Sequence, residues 1–479
     1  MKGLAKAAAM AAIVIAAVWS ASCSKDKESG SISFDRSAAY FAAGEQATIG
    51  VSVDNVRAQT LAVTSSPTGW TIELDKTAMT LSVTAPAQSG DDAAASGSIV
   101  LSGSVGGGKS VVSGTLFVGL ASTVDFSDRP ANSYIANSKE TNYLFDATHE
   151  GDGTSQLATA RVGIVWQSAA SLIQHLQLAD GKASFYVGAD SSDATKIKEG
   201  NALIGAFDKS GNLLYSWHIW VSDFDPEAAP LALNGYTMMS RNLGARANGN
   251  STTSEILASY GLYYQWGRKD PFVGPATYNA ANGTSAAMYD SGSSWVYMQI
   301  AASDATTGAQ EYAAKHPSTF ITVAEKDADW LQQATADAGW SNTGKTADDP
   351  CPYGWRVAPA AAFAGLSIGE SLDAPAADYK EKYGWMLTDN HGTEGLFMGA
   401  GRRAWRDALV HNYFDESLET RADELQPWVG YYWTADATAT LASAFCFWLK
   451  VGDVSGSGIY HARPMGRANG MQVRCVKTK

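Results

Sequence analysis

The chain has 479 residues and a formal net charge of −13, from 35 basic and 48 acidic side chains. An apolar fraction of 45% with 17% charged residues belongs to a globular protein and argues against a disordered one. The acidic balance argues against nucleic-acid binding, which needs clustered Lys and Arg; the one local group, Arg402 to Arg406, is too short to reverse it.

The N-terminus reads as an address. Lys2 and Lys6 form a positive start, Ala7 to Val18 an apolar stretch too short to span a bilayer, and Ser20-Ala21-Ser22 lead to Cys23. Residues 1–22 are therefore expected to be a signal peptide and Cys23 the lipidated first residue, with residues 23–30 as a polar tether. The charged run Ser24 to Gly30 resembles an export tag that sends lipoproteins to the outer face of the outer membrane; an inward-facing periplasmic anchor is the alternative. No other stretch reaches the roughly 18 apolar residues of a membrane helix, so attachment by lipid alone is expected. Cleavage would leave 33 basic against 48 acidic residues.

Length suggests about three domains. From residue 31 to 122, short alternating runs are broken by Gly, Ser and Asp: Ala47–Val53, Trp70–Leu74, Met79–Thr84, Ser96–Ser102 and Gly114–Val118. This pattern predicts a small antiparallel β-sandwich. With Pro67-Thr68-Gly69-Trp70 it resembles the BACON-like modules found beside lipid anchors, which implies a spacer role. Gly103 to Ser110 satisfies the P-loop pattern, but strand-like sequence follows where a phosphate-binding helix should begin. A Gly-rich hairpin is the better reading.

A second β-sandwich is expected over residues 123–233, from Arg161–Trp166, Ser184–Val187, Asn201–Phe207 and Leu213–Val221, with a hairpin turn at Asp208–Asn212. His218, between apolar neighbours in a strand, reads as a buried hydrogen-bonded ring. Asp223 and Asp225 offer two carboxylates where Ca²⁺ needs about six oxygens, and read as a solvated turn. Glu227–Asn234 reads as a linker into a domain at 234–479. Helix is expected at Ser254–Tyr263 and Ser318–Ala338, and more weakly at Asp373–Tyr383.

Four cysteines are present. Cys351 stands between two prolines and Cys475 in the terminal strand, so a disulfide is plausible; two unpaired buried thiols are the alternative. The segments around them carry a family resemblance. Asp349-Pro350-Cys351-Pro352-Tyr353-Gly354-Trp355-Arg356-Val357, Tyr431-Tyr432-Trp433-Thr434 and Val473-Arg474-Cys475-Val476 resemble the FISUMP domain of Bacteroides-type surface lipoproteins. Met239 to Ala245 and Tyr264 to Phe272 fit the same pattern. The family usually continues Trp-Arg-Val with Pro-Thr, whereas Ala358 intervenes here and Ala360 replaces the Thr, so a different cap is expected on the next helix. The resemblance implies a C-type-lectin-like α+β domain with Cys351 and Cys475 paired. The expected fold is thus multidomain, two N-terminal β-sandwiches followed by that domain.

Catalytic patterns are weak. Gly365 to Gly369 mimics a nucleophile elbow around Ser367, with Asp373 and His391 following, but helix precedes and loop follows, the reverse of the hydrolase order. Cys446 lies among aromatics, as a small buried hydrophobe does. No metal motif occurs, and neither a cofactor nor a metal is expected. Gln426-Pro427-Trp428 lacks the carboxylate of a calcium-dependent sugar site. Aromatic stacking of a glycan remains open at Arg402, Arg403, Trp405, Trp428 and Tyr431, with Arg406 and Tyr432 nearby; core positions for most of these are the alternative. The turn Gly399–Arg403 is expected to be the most exposed of the set. The sequence therefore points to a surface-exposed, non-enzymatic lipoprotein that binds glycan or protein ligands in adhesion. An accessory subunit of a pilus or outer-membrane assembly is the runner-up, and a hydrolase or oxidase the third reading.

Overall fold

A computed structural model describes residues 29–478 except 88, 91, 109, 275–287, 336–338, 368–383, 414–427 and 450–457. Cys23 and the signal and tether residues 1–28, Lys109, Asp373 with its expected helix, and Gln426-Pro427 lie outside the described residues.

The first unit is a sandwich of two four-stranded sheets. Ser31–Phe34, Gln46–Asp54, Thr80–Thr84 and Thr71–Asp75 form one; Ala38–Phe41, Val111–Leu120, Ser96–Ser104 and Ala62–Ser65 form the other. Alternation explains the core: Ile49, Val51, Leu81, Val83, Ile99, Leu101, Leu116 and Val118 point inward from successive even steps. Trp70 closes one end, edge-on to Phe41 and donating its Nε1–H to the Ala94 carbonyl at 2.8 Å. The P-loop mimic falls in the hairpin between Ser96–Ser104 and Val111–Leu120, where Val105 N–H donates to Ser110 O at 2.9 Å.

The second unit pairs two more four-stranded sheets, Gln174–Ala179, Lys182–Val187, Thr141–Asp146 and Ser122–Asp125 against Ser133–Ala136, Leu213–Val221, Gly200–Phe207 and Arg161–Gln167. The turn at Asp208 forms because its Oδ1 accepts from Ser210 N and Asn212 N, at 2.8 and 2.9 Å, with Gly211 taking a φ of 86°. The two sandwiches meet through the amide of Gln177, which accepts from Ser37 N and donates to Ala38 O at 2.9 and 2.7 Å. Tyr40 stacks on Tyr186 and Phe117 on His175 beside it.

The C-terminal domain is mostly sheet. A seven-stranded sheet contains Tyr264–Gln265, Gly470–Val473, Ala400–Arg403, Trp428–Ala437, Ala442–Leu449 and Gly458–Met465, with Val410–Tyr413 paired to Ala400–Arg403. A four-stranded sheet runs Pro230–Leu233, Tyr236–Met239, Cys475–Lys477, Trp355–Val357. Among the described residues the α-helices are two short ones, Thr253–Ser259 and Gln310–Lys315. The chain's tail leaves the large sheet at Val473 and enters the small one at Cys475, where the Cys351–Cys475 disulfide joins Cα atoms 6.0 Å apart.

Three expectations need correction. Ser318–Ala338 is not a helix: Thr319–Thr322 is a fully buried strand parallel to Gln299–Ala302, followed by turns. Its apolar spacing at Phe320, Val323, Trp330 and Leu331 serves two different cores, not one helical face. The stretch Glu227–Asn234 is not a free linker, because Pro230–Leu233 pairs along its whole length with Tyr236–Met239. The helix expected at Ser254–Tyr263 is Thr253–Ser259, capped by the Thr252 side chain accepting from Glu255 N, and Tyr263 instead bridges Phe272.

The core that matters most crosses a domain boundary. Trp166, Leu203, Trp220 and Phe224 of the second sandwich pack in one cluster with Met239, Trp266, Trp355, Trp433, Met471 and both disulfide cysteines. Burial of such large side chains contributes roughly 1.5–3 kcal/mol each, so the two units stabilise one another.

Candidate binding surface

The motifs that carried the resemblance build the seam between the second sandwich and the C-terminal domain. Lys269 and Asp270 are almost wholly buried and pair at 2.8 Å. Lys269 Nζ also donates to the carbonyl and hydroxyl of Ser216, on the strand Leu213–Val221 of the sandwich, and lies 4.0 Å over the Tyr215 ring. Ser216 Oγ–H donates to Asp270 at 2.7 Å. Burial pulls the Lys269 ammonium below the usual lysine range, and the Asp270 carboxylate opposes this. Gly267 and Gly339 touch back to back here, since a Cβ on Gly339 would meet Gly267 Cα at 2.4 Å.

The proline-cysteine segment is tied to the same sandwich. Asn132 Nδ2 donates to the carbonyls of Ala347 and Asp349, and Ser133 Oγ to that of Pro350. Asp349 shapes the turn by accepting from Cys351 N and Val357 N, both at 2.9 Å, and Lys345 neutralises it. The replaced Thr is compensated from a distance: Asp436 Oδ2 accepts the Ala360 N–H at 2.6 Å, at the start of the 3₁₀ turn Ala360–Phe363. Arg474 is buried, donates twice to Asn242 Oδ1 and sits 4.4 Å from the Phe397 ring. These charged residues hold the fold together.

His218 lies in this seam as expected, buried, with Nε2 2.9 Å from Asn201 Oδ1. Burial lowers its pKa to about 3. As pH falls below about 6.5 the unfolded chain takes up the proton while the native ring stays neutral, so stability present above that pH is lost progressively toward pH 3. Going from pH 7 to 5 should cost the wild type about 2 kcal/mol more than a His218→Gln variant. Urea titrations of both proteins at the two pH values measure this difference, and equal losses would contradict it.

Of the five residues expected to hold a glycan, the four with described side chains do not form an exposed groove. Arg403 is 0% exposed, donating to the carbonyls of Val273 and Ala408, because Ala400–Arg403 is an interior strand and not an open turn. Tyr431 is 8% exposed and belongs to the shared core. Arg402 is half-buried, bonded to Asn469 at 2.7 Å and 5.2 Å from the Tyr431 ring. Trp405 packs half-buried against the small cluster around Trp330. The Trp428 side chain lies outside the described residues.

The nucleophile candidates are also accounted for. Ser367 bridges Thr388, and a 3₁₀ turn, Ala360–Phe363, stands before it where an elbow needs a strand. Cys446 is fully buried and its thiol is pushed up to about 12, so it stays protonated at neutral pH. Asp223 pairs with Arg241 at 3.0 Å, and Asp225 accepts from Glu227 N.

Two surface features remain. A cleft of about 340 Å³ opens at the seam, lined by Ser168, Glu199, Asn201, Arg246, Tyr260 and Leu262 among others. The second feature is an aromatic strip that the sequence reading missed. Trp295, Tyr297 and Ile300 are 59%, 68% and 55% exposed, three of the seven large apolar side chains so exposed among the described residues. From Trp295 to Gln299 odd positions face solvent, while Val296 and Met298 turn inward onto two cores. The strip is propped from behind. Tyr289 pairs with both Gln167 and Trp295, its ring centroid lies 5.0 Å from that of Trp295, and the Gln167 amide donates to Asp290 O at 3.0 Å.

The fold defines a class, a mostly-β protein of several sandwich-like sheets closed by one disulfide. No family model and no curated protein matches the chain. Among solved structures it is similar to the D00–D0 domain of intimin, at 10% identity over 39% of this chain and 96% of that one, with a TM-score of 0.15. Drosophila N-cadherin EC1–4 gives 11% identity over 41% and 51% with 0.16, and the N-terminal four Ig domains of Dscam1 give 12% over 41% and 52% with 0.14. The matched region thus spans about half of each of the latter two. At scores this low the architecture rests on the sheets of the chain itself.

Proposed function

We propose that this protein is a surface-exposed outer-membrane lipoprotein, anchored through Cys23, that binds glycan or protein ligands in adhesion and catalyses nothing. The observation that carries the reading is the aromatic strip at Trp295 and Tyr297. Large rings held open to solvent on a rigid support are costly to leave uncovered and are the residues binding surfaces favour. The hydrogen bonds that Lys269, Asp270 and Arg474 make inside the protein support a scaffold role for the motifs. The C-terminal domain is read as C-type-lectin-like and of the FISUMP kind, supported by the pairing of Cys351 with Cys475 that this resemblance implies.

The anchor is tested by feeding cells that express the full chain a labelled fatty acid, then shaving them with protease. The account expects label on the wild type, none on Cys23→Ala, and loss of the folded domains from intact cells. Equal labelling of both proteins, or full protection from the protease, would contradict it. The binding role is tested by adherence of the full chain to immobilised polysaccharides and matrix proteins. Adherence to none of them sinks it.

A further inference from the structure

We infer that the strip Trp295–Tyr297–Gln299 is a stacking platform for a neutral polysaccharide chain, an assignment that rests on the binding reading above. Alternate residues of an extended segment point the same way, so two ring faces and an amide are presented in a row. The rings can stack on the apolar faces of pyranoses. Gln299 is exposed and its Nε2 donates to the Tyr297 carbonyl at 3.1 Å, which holds beside the rings an amide whose oxygen can accept from a sugar hydroxyl. Ser291, Ser293 and Ser294, all exposed, add hydroxyls on the adjoining turn.

Charge selects the class of glycan. From Ser291 to Ser303 there is no Asp, Glu, Lys, Arg or His, and the stretch is bounded by Asp290 and Asp304 in a chain of net charge −13. An anionic polysaccharide would be repelled by that field, and no Arg or Lys of the strip offers it a partner. Size argues against a protein partner. A stable protein interface uses roughly 20–30 residues a side, whereas this strip offers a handful. The support behind the rings means little motion is lost on binding, which suits a shallow site that gathers affinity from repeated contacts along a polymer.

The test is affinity electrophoresis of the full chain in gels containing hydroxyethylcellulose, laminarin or glycogen, and in parallel polygalacturonate or chondroitin sulfate. Retardation by a neutral polymer and by neither anionic one is expected. Trp295→Ala should weaken the retardation about ten-fold, Tyr297→Ala should weaken it too, and Trp295→Phe should keep most of it, with melting temperatures unchanged. Retardation that survives Trp295→Ala, or that appears only with the anionic polymers, overturns the assignment. Adherence to immobilised protein without any retardation overturns the glycan class alone. Absence of both overturns the binding reading as well.

Discussion

Replacing Cys475 with Ser lowers the stability of the C-terminal domain by about 4–5 kcal/mol in the chain-entropy model, because the bridge closes a loop between positions 124 apart. For a domain of this size that is a fall of roughly 10–15 °C in melting temperature. The effect reaches beyond the loop. Both cysteines are buried in the cluster that also holds Trp166 and Trp220 of the second sandwich, so the sandwich should lose stability with its neighbour. Cys351→Ser and the double Ser variant should match Cys475→Ser, since each removes the same constraint. Melting curves of the three proteins check this, and a double variant much worse than either single would show that the thiols contribute separately from the bond.

The second large effect is expected at Lys269. Changing it to Met leaves the Asp270 carboxylate buried without its ion-pair partner, still accepting from the Ser216 hydroxyl, which should cost about 3–5 kcal/mol. Adding Asp270→Leu removes the stranded charge, so the double variant should be more stable than Lys269→Met alone. Full recovery is not expected, because Ser216 then loses both partners in a dry site. A double-mutant cycle by chemical denaturation measures the coupling, and additive single effects would mean that the pair does not interact as described.

The strands that were legible in the sequence are those with one buried face. Gln46–Asp54, Thr80–Thr84 and Ser96–Ser104 alternate because a sandwich strand has a wet side. The same logic fails where both faces are covered. Ala400–Arg403 carries two arginines and a glycine and reads as an exposed turn, yet the buried guanidinium of Arg403 finds backbone carbonyls, which no local pattern announces. Tyr431 was equally opaque, being one aromatic in a strand whose neighbours on both sides are aromatic or apolar. Pro230–Leu233 read as a linker because its partner strands, Tyr236–Met239 and through it Cys475–Lys477, bring the far end of the chain to it. The aromatic strip did leave a signal, Trp and Tyr two residues apart in a charge-free stretch, but only the structure distinguishes outward rings from core ones.

The second sandwich and the C-terminal domain share one core and are expected to unfold as one cooperative body, with the charged motifs as its mortar. Hydrogen exchange of the full chain in rising denaturant tests this most directly. The strands Leu213–Val221, Trp428–Ala437 and Gly470–Val473 should open together at one free energy, with the first sandwich, Ser31–Leu120, following its own. Independent opening of Leu213–Val221 ahead of the C-terminal strands would contradict it.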